Sequence, residues 1–128
     1  MNKKYLFFDM DRTLIAPSTH HLLPSSIKAI KQAMHNGCHV FLCTGRSYGM
    51  ALEYQEELHV PGVIFSNGAG ICYEGKILES HDIYPHIVKQ MTDLITALAG
   101  GFQLLGTEQT WQNATEPSRF AKTLPAEY

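Results

Sequence analysis

The sequence predicts an α/β fold built on a parallel sheet, and three observations lead to it. Three short runs, residues 5–8 (Tyr-Leu-Phe-Phe), 39–43 (His-Val-Phe-Leu-Cys) and 62–65 (Gly-Val-Ile-Phe), are aromatic and β-branched without polar alternation. Such runs suit parallel strands covered on both faces. The stretches between them carry apolar residues at helical spacing, and each is closed by glycine, asparagine or proline, so the order reads β-α-β-α-β.

Each element follows from local chemistry. The first strand runs into Asp9. Pro24 with Ser25 and Ser26 then opens a helix expected to be capped by serine, with Ile27, Ile30, Ala33 and Met34 on one face and Asn36-Gly37 as the stop. After the second strand, residues 48–58 place Met50, Ala51, Tyr54 and Leu58 on a helical stripe, with Pro61-Gly62 as the expected stop. Beyond the third strand, residues 70–73 and 76–78 flank Glu74-Gly75 as a hairpin. A second unit is expected from His81: an amphipathic helix over residues 85–99 carrying Ile87, Val88, Met91, Leu94, Ile95 and Leu98, then short strands at 102–105 and 110–112. Residues 113–128 show mixed polarity and two prolines, and no element is assigned there.

Composition narrows the function. A chain of 128 residues, 45% hydrophobic and 17% charged, is expected to form one globular unit. Its net charge of -2 gives no electrostatic footprint for nucleic acid or an anionic membrane. Cys38, Cys43 and Cys72 form no Cys-x-x-Cys pair and read as buried thiols in a reducing compartment. The seven histidines include one His-x-x-x-His spacing, His35 to His39, but the Asn36-Gly37 helix stop falls between the two and no Glu-linked zinc pattern accompanies them. The first apolar run breaks at Asp9, too short for a signal or membrane span, so a cytoplasmic location is expected.

The chemistry is expected at the strand ends. Asp9 and Asp11 close the first strand at a spacing of two, which puts both carboxylates on one side of extended backbone. Two acids facing one crevice repel, so either a divalent cation neutralises part of the charge or the two divide nucleophilic and acid–base work. Thr44 and Gly45 close the second strand where a helix begins, a setting suited to phosphate oxygens. Ser66, Asn67 and Gly68 close the third. Ligands of open α/β sheets collect outside the carboxyl ends of the strands, and all three polar clusters fall there. A dinucleotide-binding fold would need a glycine fingerprint after the first strand, where Asp-Met-Asp-Arg-Thr stands instead.

These residues carry a family resemblance. Phe8-Asp9-Met10-Asp11-Arg12-Thr13-Leu14, Thr44-Gly45-Arg46 and Ser66-Asn67-Gly68-Ala69 resemble the first two motifs and the third-strand signature of the haloacid dehalogenase superfamily, specifically its Cof-type (subfamily IIB) phosphatases. The likeness covers about residues 3–80. It implies a Rossmann-like core over residues 1–80, incomplete in this chain, and the beginning of an α/β cap, inserted after the third strand, over 81–128. It further implies that Asp9 attacks phosphorus to form an aspartyl-phosphate and that Asp11 serves as general acid and then base. Mg²⁺ would bind at Asp9 and Asp11, using the Asp9 carboxylate and the Asp11 backbone carbonyl. The Met10 N–H, Thr44 hydroxyl and Gly45 N–H would hold phosphoryl oxygens. Arg46 and Asn67 are candidate substrate contacts, and the expected substrate is a small phosphorylated metabolite.

Two departures shape the expectation. Position 12, usually glycine in this motif, is Arg12. The family's later lysine and acidic pair normally follow the cap, and Lys122 lacks the acidic run that would accompany that role. The chain is therefore expected to be the N-terminal part of a longer phosphatase, a shortened paralogue or a gene fragment. The alternatives are an incompetent fragment that binds phosphate or metal, or associates with a partner chain through an uncovered sheet edge, and a phosphomutase or phosphotransferase using the same aspartyl-phosphate.

Overall fold

The computed structural model describes residues 3–113, so Lys122 and the unassigned stretch beyond Asn113 lie outside the described residues. Strand β1 (Lys4–Asp9) leads through a loop to helix α1 (Pro24–His35), then β2 (Cys38–Cys43), α2 (Tyr48–Leu58) and β3 (Gly62–Phe65). A single 3₁₀ turn (Ser66–Gly68) precedes the hairpin β4 (Gly70–Tyr73) and β5 (Lys76–Ser80). Helix α3 (Pro85–Ala97) and a separate two-stranded ribbon, β6 (Gln103–Leu105) with β7 (Thr110–Gln112), complete the described chain.

The five-stranded sheet has the order β1-β2-β3-β4-β5, parallel through β3 and antiparallel beyond. Its register decides what lies inside. Leu6, Val40, Val63 and Cys72 share one face with Phe8, Leu42 and Phe65, and this face packs on Ile30, Ala51, Tyr54 and Leu58 of the two helices. Helix α1 starts at Pro24 in the first turn, with Leu23 as N-cap and no side-chain cap, so proline rather than serine sets the start. Its end follows expectation, with Gly37 at φ +83° just beyond Asn36. Helix α2 is capped by Ser47, whose side chain accepts the Met50 N–H. It stops at Leu58, earlier than Pro61-Gly62, because His59 adopts a left-handed conformation and the Val60 N–H folds back to the Gln55 carbonyl.

Cover on both faces does not hold among the described residues. Both crossovers run in the same direction from β1 towards β3, and right-handed crossovers in one direction put both helices on one face. The other face carries an aromatic row: Tyr5 stacks on His39, while Phe41 stacks on both Phe7 and Tyr73. Tyr5 and Phe7 remain 50% and 58% exposed. Among the described residues, strand β1 is also the sheet edge. Helix α3 shows the same incompleteness, since Val88 and Ile95 are half-buried while Ile87, Met91, Leu94 and Leu98 stay exposed.

The ribbon rests on the start of α2. The Gly49 N–H donates to the Thr107 carbonyl at 2.8 Å, and a Cβ at Gly49 would stand 2.5 Å from the Glu108 carbonyl oxygen. Gly62 is a second close approach, because the Phe41 ring lies over it on the way to Tyr73 and leaves no room for a side chain. Gly62→Ala should therefore overpack the aromatic row and lower stability by about 1–3 kcal/mol. Urea unfolding would show a lower midpoint at an unchanged slope, whereas an unchanged midpoint would mean that Phe41 moves aside freely.

Candidate active site

Parallel pairing of β1 with β2 sets Asp9 opposite Cys43, and Cys43 opposite Ile64 of β3, so the three strands end at one rim. The loops beyond that rim are tied by backbone bonds. Thr44 N–H donates to the Ile64 carbonyl, Ser66 N–H to the Arg46 carbonyl, and Asn67 N–H to the Thr44 carbonyl. Asn67 sits at φ +56°, a conformation asparagine tolerates better than most residues. The result is a cavity of about 340 Å³ lined by Asp9, Cys43, Thr44, Gly45, Ile64, Asn67 and Gly68.

Within it each group is oriented. The Asp9 Oδ2 accepts the Thr13 hydroxyl at 2.9 Å. The buried Thr44 hydroxyl oxygen accepts the Arg46 N–H at 3.1 Å, which leaves its own proton to donate outward. Gly45 is exposed and closely faces Asn67, whose Oδ1 would be 3.0 Å from a Cβ at that position. Burial, and after it the charge of Asp9, push the Cys43 thiol above its ordinary pKa.

Asp11 is placed differently. It lies past the end of β1, and its carboxylate turns to Arg46, with Nε 3.0 Å from Oδ2 and Nη2 2.6 Å from Oδ1. The hydrogen bond to Asp11 holds the Arg46 guanidinium well above the usual arginine range. Neither residue is among those lining the Asp9 cavity. The Met10 side chain is fully buried in the core, and its carbonyl accepts the N–H groups of Thr13, Leu14 and Ile15, a knot that turns the chain sharply after β1. Arg12 occupies that turn at φ +66° with its side chain exposed, which accounts physically for a glycine preference there.

The structure thus brings Asp9, Thr44, Gly45 and Asn67 together and sets Asp11 and Arg46 beside them as a pair. Sequence reasoning gave no role to Thr13, Cys43 or Tyr54. Thr13 falls four residues after Asp9, and Cys43 is the register partner of Asp9, so both signals were present in the spacing of the strands. Of the three thiols only Cys72 is buried; Cys38 and Cys43 are half-buried, and none is paired. Among the described residues no group of three His, Cys, Asp or Glu could hold a metal, and no helix is long and apolar enough to cross a membrane.

Comparison with known proteins identifies the family and the fold. A family model described as haloacid dehalogenase-like hydrolase matches residues 6–127. A candidate phosphatase of Buchnera aphidicola is 38% identical over 85 residues, covering 65% of this chain and 32% of the relative. Among solved structures, a phosphatase of the haloalkanoate superfamily from Bacteroides thetaiotaomicron is 26% identical with a TM-score of 0.78, covering 94% of this chain and 46% of that one. A subclass IIB sugar phosphatase of the same superfamily is 25% identical with a TM-score of 0.75, covering 94% and 47%. The chain therefore spans about a third to a half of the length of these proteins.

The shared cavity can be checked through Cys43. Its raised pKa should make alkylation by iodoacetamide at pH 8 slower than that of a free thiol. Asp9→Asn removes one of the two causes and should speed the reaction at Cys43, followed by peptide mass spectrometry, without restoring the free-thiol rate. An unchanged rate would mean that Asp9 does not face the thiol.

Proposed function

The chain belongs to the haloacid dehalogenase-like hydrolase family, and from that membership we propose that it carries the nucleophile-bearing part of a phosphatase acting on small phosphorylated metabolites. The observation that carries this reading is the single cavity shared by Asp9, Thr44 and Gly45 at the carboxyl ends of parallel strands.

In this reading the free Asp9 oxygen attacks phosphorus in line with the departing alcohol. The P–O bond to the alcohol breaks and an aspartyl-phosphate forms. Thr13 holds the other Asp9 oxygen and so fixes which one attacks. The Thr44 hydroxyl and the Gly45 and Met10 N–H groups bind the equatorial oxygens, where charge accumulates. Asp11 gives a proton to the leaving alcohol. It then takes one from the water that attacks the phospho-enzyme, which releases phosphate and restores the Asp9 carboxylate.

A magnesium ion fits the donors present, which are all oxygens: the Asp9 carboxylate and the Asp11 main-chain carbonyl. Two protein oxygens are enough for a cation that keeps several waters and takes the rest from phosphate. When bound, it would supply Lewis-acid stabilisation of the phosphoryl charge. We place the division between core and cap near residue 80, where the large sheet ends, with α3 and the β6–β7 ribbon beginning the cap.

A second reading is favoured by one observation: among the described residues, the strand carrying Asp9 is the sheet edge, beside a half-exposed aromatic face. An edge with unpaired backbone invites another strand. On this reading the chain turns over only when a further segment or partner pairs with β1 and covers Tyr5 and Phe7.

Assays with p-nitrophenyl phosphate and Mg²⁺ test both. The phosphatase reading predicts turnover that Asp9→Asn lowers by at least about 10³-fold. Turnover that appears only when the unmatched part of a relative is co-expressed would favour the second reading. Activity retained in Asp9→Asn would contradict both.

A further inference from the structure

We propose that Arg46 is a positioning residue for Asp11 rather than a substrate contact, and that Tyr54 and the His20 main chain hold Arg46 for that purpose. The proposal rests on the reading above that Asp11 is the acid–base group.

The geometry is specific. Two guanidinium nitrogens meet the two Asp11 oxygens, at 3.0 Å from Nε and 2.6 Å from Nη2. This paired arrangement fixes the plane of the carboxylate as well as its distance. Nη1 donates to the Tyr54 hydroxyl at 3.4 Å, and that hydroxyl donates to the His20 carbonyl at 3.2 Å. The roles are consistent, since a phenol can accept one hydrogen bond while giving another. The guanidinium carbon also lies 5.1 Å from the centre of the Tyr54 ring, within range of cation–π attraction.

Burial separates the anchor from the group it holds. Tyr54 is buried on α2, a rigid element of the core. The Asp11 side chain is 52% exposed in the loop after β1, so without a partner it would sample several rotamers. Arg46 is 20% exposed and bridges the two. Tyr54 reaches the far end of the same loop through His20, so one side chain ties both ends of the segment that carries Asp11. Asp11 keeps its capacity for proton transfer, because each carboxylate oxygen has a second acceptor site beyond the one Arg46 uses. Lysine could not replace this arrangement, since a single ammonium cannot present two parallel donors in a plane.

Two esters separate this role from the alternatives. p-Nitrophenol leaves without a proton, whereas the alcohol of glycerol 3-phosphate needs one from Asp11. Arg46→Met should slow single-turnover release of the alcohol from glycerol 3-phosphate by at least about 10²-fold more than release of p-nitrophenol from p-nitrophenyl phosphate. KM should change little for either. Tyr54→Phe should shift the ratio in the same direction by less, and Arg46→Lys should recover only part of it. A rise in KM for both esters with an unchanged ratio would make Arg46 a substrate contact and overturn the proposal. An equal slowing of both releases, in step with the folded fraction, would make it merely structural and also overturn it.

A second measurement needs no turnover. The Arg46 Nε–H should give a resolved, slowly exchanging NMR signal that Asp11→Asn abolishes. A rapidly exchanging signal, averaged with those of the other arginines, would remove the clamp even from an active protein. A protected signal in a protein that hydrolyses neither ester would support the clamp and count against the acid–base reading instead.

Discussion

The parallel register of β1 on β2 is the constraint on which the rest of the site depends. It places Asp9 opposite Cys43, and the chain then has no choice but to present Thr44 and Gly45 beside the Asp9 carboxylate. The same register continues into β3, so the Ser66–Gly68 turn closes the third side, held by backbone bonds to Thr44 and Arg46. A slip of one residue would send Asp9 to the helix-packed face and Phe8 to the rim. The buried row of Leu6, Phe8, Val40, Leu42 and Val63 forbids that slip. Hydrophobic patterning and the geometry of the Asp9 cavity are thus one requirement expressed on the two faces of a single sheet.

The fold was largely legible because its signals are local. The helices over Pro24–His35 and Tyr48–Leu58 follow from apolar spacing, and the glycine stop after Asn36 is as expected. The strand ends that carry Asp9, Thr44 and Asn67 are marked by polar residues breaking apolar runs. What was not legible depends on pairing across the chain. The two aspartates suggested carboxylates sharing one direction, yet Asp9 turns to Thr13 and Asp11 to Arg46, thirty-five positions away. Nothing in the spacing of Asp11 and Arg46 reveals that contact. It arises from the loop geometry after β1 and the position of Tyr54 on α2. The half-exposed aromatic face was hidden for a related reason, since runs without alternation suggest double cover, but only the chain order reveals that α1 and α2 fall on one side.

The exposed features form a consistent set. Among the described residues strand β1 is an edge, Tyr5 and Phe7 are half-exposed, and the outer stripe of α3 is apolar. The chain spans 32% of the Buchnera relative and under half of the two solved phosphatases. Among the described residues, both the large sheet and α3 therefore present apolar surface. The loops around the Asp9 cavity, by contrast, are internally tied by backbone hydrogen bonds.

The central claim is that Asp9, Thr44 and Gly45 form one phosphoryl-binding cavity. Its most direct test is amide NMR mapping of the chain with Mg²⁺ and beryllofluoride, a phosphoryl mimic that bonds to a carboxylate. The account predicts that the largest shifts fall on Thr44, Gly45 and Met10 in the wild type and disappear in Asp9→Asn. Shifts centred instead on the groove of α1 lined by Lys28, Lys31 and His35, and persisting in Asp9→Asn, would contradict it.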